Sequence, residues 1–104
     1  MFVLAGWCEE CVARDLLFAR SVDTGRIFYV CAACGAAGTE INNCAAHIRE
    51  VHQVLAPGGW TLALRGEIEA NDLGDKIAGD ASEEYADLIS WYPGFQGTET
   101  RKVL

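Results

Sequence analysis

The chain has 104 residues, 51% hydrophobic and 22% charged, which suits one folded domain and leaves room neither for a multidomain enzyme nor for a disordered chain. Fifteen acidic against eight basic side chains give a formal charge of -7, which disfavours binding to a polyanion and directs the search for a partner toward another protein. Met1 to Ala5 is apolar, but it lacks a basic flank and the length of a leader, and no apolar run approaches the roughly 18 residues of a membrane span. A cytoplasmic protein with no membrane association is expected, and its thiols are then expected to be reduced or metal-bound.

In chain order, the first pattern is a β-hairpin. Residues 16–22 and 26–30 are apolar, β-branched and aromatic runs separated by Asp23-Thr24-Gly25, where Gly25 can supply the positive φ of a tight turn. Past Gly35 and Gly38 the period changes. Ile41, Cys44, Ile48, Val51 and Leu55 recur at spacings of three and four, which predicts an amphipathic helix ended by Pro57-Gly58-Gly59. Trp60, Leu62 and Leu64 alternate with Thr61, Ala63 and Arg65, the pattern of a strand buried on one face. Asp80 followed by Glu83 can cap a last helix in which Ala81, Tyr85, Leu88, Ile89 and Tyr92 share a face, stopped by Pro93-Gly94.

The chemistry is concentrated in the cysteines. Cys8-Glu9-Glu10-Cys11 and Cys31-Ala32-Ala33-Cys34 are two C-x-x-C pairs with nineteen residues between them, inside the window of paired-cysteine zinc sites. Each pair can aim two sulfurs at one point, and the intervening hairpin returns the chain so that the second pair completes a tetrahedron. Gly35 lets the backbone curl after the second pair and turns amide N–H groups toward the thiolates. One structural Zn²⁺ held by Cys8, Cys11, Cys31 and Cys34 is therefore expected; iron also accepts four thiolates and is the second choice.

Knuckle, hairpin and knuckle over residues 5–38 resemble the zinc-ribbon fold group, and Cys31-x-x-Cys34-Gly35 is similar to a rubredoxin knuckle, with Ala32 where the commonest second knuckle carries proline. The resemblance implies a bound metal and a local shape, not an activity. The expected fold class is α+β: one domain over 1–104, with an N-terminal zinc ribbon (1–38) packed against a helix-strand-helix extension (39–104).

Other constellations are thinner. Cys44 and His47 could meet on one helix face, but His52 points elsewhere, so a buried thiol and two surface histidines are expected rather than a second metal. Glu67, Glu69, Asp72 and Asp75 read as a solvated acidic face. Trp91, Tyr92 and Phe95 gather aromatics at a helix end, either as a lid on the core or as a partner-binding patch. With no nucleophile-base pair in the sequence, a non-enzymatic interaction or regulatory module is the expected function. A nucleic-acid-binding ribbon using Arg14, Arg20 and Arg26 comes next, and a rubredoxin-like electron carrier last.

Overall fold

The computed structural model of the chain describes residues 3–6, 8, 16–41, 44, 46–80, 92 and 94–96. The expected hairpin forms. Strand β2 (Leu16–Ser21) pairs antiparallel with β3 (Ile27–Cys31) in the register Leu16 to Cys31, Leu17 to Val30 and Phe18 to Tyr29. Gly25 has φ +74°, the left-handed conformation the turn requires of it.

Around this pair a mixed fold is built on an antiparallel sheet, with seven strands among the described residues. On one side of β3 lie β4 (Ala36–Gly38) and then β5 (Ala46–His47). The other side of β2 is shared: β1 (Val3–Gly6) pairs with its first half and β6 (Trp60–Leu62) with its second. Strand β7 (Gly79–Asp80) lies outside β1. Helices are short: α1 (Val51–Val54), preceded by a 3₁₀ turn at Ile48–Glu50, and α2 (Arg65–Ala70). No helix among the described residues is long and apolar enough to cross a membrane.

From Leu16 to Ala19 and from Ile27 to Cys31 the hairpin strands are apolar on both faces, because both faces of the sheet are covered there. Leu17, Ala19, Phe28 and Val30 join Ala37, Ile48, Val51, Trp60 and Leu62 in one core; Leu16, Phe18, Tyr29 and Cys31, the alternate residues of the same strands, join Cys8, Ala36, Cys44 and Ile68 in another. Trp60 is fully buried, with Phe28 and Phe95 ring centroids 5.9 and 4.8 Å away.

Three expectations are corrected. The helix over 41–55 contracts to residues 48–54, and Ala46 and His47 form β5 instead. Strand β6 is buried along its whole length, Thr61 included at 2% exposure, rather than on one face. Helix α2 occupies part of the acidic stretch for which no element was expected. The final helix proposed over 80–92 lies almost wholly outside the described residues.

Candidate metal centre

Strand β2 begins at Leu16, whose partners across the sheet are Gly6 on one side and Cys31 on the other. Cys31 is the last residue of β3, and Cys8 follows β1 by two residues. The sheet thus brings two cysteines distant in sequence to the same end of β2, and both are 1% exposed on the second core. After Cys31 the chain turns tightly. The Gly35 amide donates to the Cys31 carbonyl at 3.0 Å, the Cys34 amide points to the Cys31 sulfur at 3.5 Å, and Gly35 takes φ +81°. The side chain of Cys34 in this turn is exposed, while those of Cys8 and Cys31 are buried.

The thiol sulfurs of Cys8, Cys31 and Cys34 all lie within 4.8 Å of one another. Sulfurs placed about 2.3 Å from one ion at tetrahedral corners stand about 3.8 Å apart. The Cys8 and Cys34 sulfurs are separated by 3.6 Å, which fits that spacing and is far beyond a disulfide bond. The cluster can hold a metal ion, and among the described residues it is the one group of histidine, cysteine and acidic side chains gathered closely enough to do so. Cys11, the fourth ligand expected from the sequence, lies outside the described residues.

Sequence spacing missed the support behind this turn. His47, on the edge strand, accepts the Arg49 amide on Nδ1 at 3.1 Å, while Glu50 accepts the His47 amide at 3.0 Å. With Nδ1 an acceptor, a neutral ring carries its proton on Nε2, and that nitrogen lies against Gly35: a Cβ added there would come within 2.7 Å of it. The only available signal was the glycine itself, which named the backbone requirement and not the neighbour that exploits it.

Cys44 and His47 do not share a helix face, since Ala46 and His47 form β5. The Cys44 thiol is buried in the second core and points to the Glu40 and Ile41 carbonyls at 3.5 and 3.9 Å. Its near neighbour Tyr29 has its phenol pushed above the ordinary value, first by burial and then by the charges of Cys44 and Asp75. Among the described residues, His52 Nδ1 is buried without a hydrogen-bond partner. Tyr92 and Phe95 are half-buried against the first core, Tyr92 with its ring 6.4 Å from that of His47; Trp91 lies outside the described residues. No protein-family model matches the chain, and neither a curated protein nor a solved structure matches it.

Proposed function

We propose that this is a small non-enzymatic zinc-binding protein in which one Zn²⁺, held by Cys8, Cys11, Cys31 and Cys34, is structural, and that the domain so held together serves as an interaction or regulatory module for another protein. The observation that carries the proposal is the convergence of Cys8, Cys31 and Cys34 within 4.8 Å from two separated segments. A donor set of thiolates alone suits zinc, and four of them fill its coordination sphere, leaving no position at which water or substrate could be activated. What zinc supplies when bound is a cross-link. In finger peptides such a site is worth about 10–16 kcal/mol of apparent binding free energy, on the scale of a whole domain's net stability. The acidic charge of -7 and the half-buried Tyr92 and Phe95 support a protein rather than a nucleic acid as partner.

Metal content of the freshly purified protein, measured by plasma mass spectrometry beside Cys31→Ser, tests the site. One equivalent of zinc in the parent and its loss in the variant is the expected result. Iron in its place would favour a rubredoxin-like electron carrier, and no metal in the parent would overturn the proposal.

A further inference from the structure

A cavity of about 550 Å³ opens beside the second core, lined by Tyr29, Thr39, Glu40, Ile41, Leu73 and Lys76. None of these is a cysteine of the cluster, and the volume lies in the range of small-ligand sites. Its walls divide by chemistry. Tyr29, Ile41 and Leu73 belong to or pack on the second core and present apolar surface. Glu40, beyond the end of β4, and Lys76, in the 3₁₀ turn Gly74–Lys76, bring one charge of each sign from separate parts of the chain. Among the described residues neither side chain forms an ion pair, so the two charges line one cavity without neutralising each other.

We propose that this cavity binds a small zwitterion with an apolar body, of the free amino acid class, its ammonium toward Glu40, its carboxylate toward Lys76 and its side chain against Tyr29, Ile41 and Leu73. The two charges select for a ligand that carries both. A simple carboxylate meets Lys76 but also Glu40 and the overall charge of -7, whereas a simple amine meets Glu40 but also Lys76. Both wall charges are exposed, so each matched end is worth about twofold to fivefold in affinity.

Titration of the ¹⁵N-labelled full chain with three probes that share one phenyl body tests the proposal: L-phenylalanine, phenethylamine and 3-phenylpropanoate. The expected result is saturable shifts at amides 39–41 and 73–76, strongest for phenylalanine. Glu40→Gln should weaken phenylalanine and phenethylamine but not 3-phenylpropanoate, and Lys76→Met should weaken phenylalanine and 3-phenylpropanoate but not phenethylamine. Both substitutions are at exposed positions, and an unchanged spectrum outside the cavity shows that the fold is retained. Absence of saturable shifts up to about 10 mM phenylalanine, shifts centred elsewhere, or variants that weaken all three probes alike would overturn it.

Discussion

Two glycines of this chain should answer alanine substitution in opposite directions. Gly35 stands at φ +81° with His47 Nε2 and Cε1 at 2.7 and 3.0 Å from the site of a Cβ. The imidazole cannot swing aside freely, because Nδ1 holds the Arg49 amide at the start of the 3₁₀ turn. An L-residue in the left-handed region costs about 1–2 kcal/mol before any displacement of the ring, so Gly35→Ala should lower stability by about 2–3 kcal/mol in urea denaturation. Gly66, inside α2, has open space where its Cβ would go and no positive φ. Gly66→Ala should therefore raise stability by about 0.5–1 kcal/mol through helix propensity and a less disordered unfolded chain. The need for a special backbone at Gly35 was legible in the sequence. The proximity of His47 was not, since no local pattern links an edge strand to a turn twelve residues earlier.

At the scale of elements, the hairpin was legible because its determinants are local: two apolar runs, and Asp23-Thr24-Gly25 between them. The helix expected over 41–55 shows how a correct period can mislead. Ile41 and Cys44 belong to the second core whereas Ile48, Val51 and Leu55 belong to the first, so the stripe is not one face of one helix but two pieces delivered to opposite sides of the sheet. Pairing of Ala46 and His47 with Ala37 and Ala36 interrupts it between them. Helix α2 is not legible in the sequence because Glu67, Glu69, Asp72 and Asp75 read as a charged surface, although Glu67 has a specific task. Its carboxylate accepts the Leu64 amide at 2.8 Å and pairs with Arg20 of β2 at 3.1 Å. Glu67→Ala removes the cap and the ion pair together and should cost about 1–2 kcal/mol. Arg20→Met removes only the half-exposed ion pair and should cost under about 1 kcal/mol. Thermal unfolding of the two variants side by side checks the order, and equal losses would show that the cap contributes nothing.

For the whole molecule, the cysteine pattern foretold a cluster but not the sheet around it, because the pairing of β6 with β2 joins residues far apart in the chain. Alternate residues of the same strands feed the two cores, which therefore lie back to back across the sheet, and Cys8 and Cys31 lie within the second. With the proposed zinc bound there, its withdrawal should disturb packing as well as coordination. Incubation with a strong chelator is expected to lower the unfolding midpoint by more than about 20 °C and to abolish the near-ultraviolet dichroism of the fully buried Trp60. A midpoint unchanged after verified metal loss would show that the two cores suffice without the ion.

The place of Cys8, two residues past the end of β1, has a consequence under load. If the chain were drawn out from its first residue, the hydrogen bonds of β1 to β2 and β7 would give way in turn, as they do in any peeled strand. With the proposed ion bound, tension would then arrive at Cys8 and pass through that ion to Cys31 and Cys34, so that the ion, rather than the sheet, would set the force at which the rest of the domain comes apart.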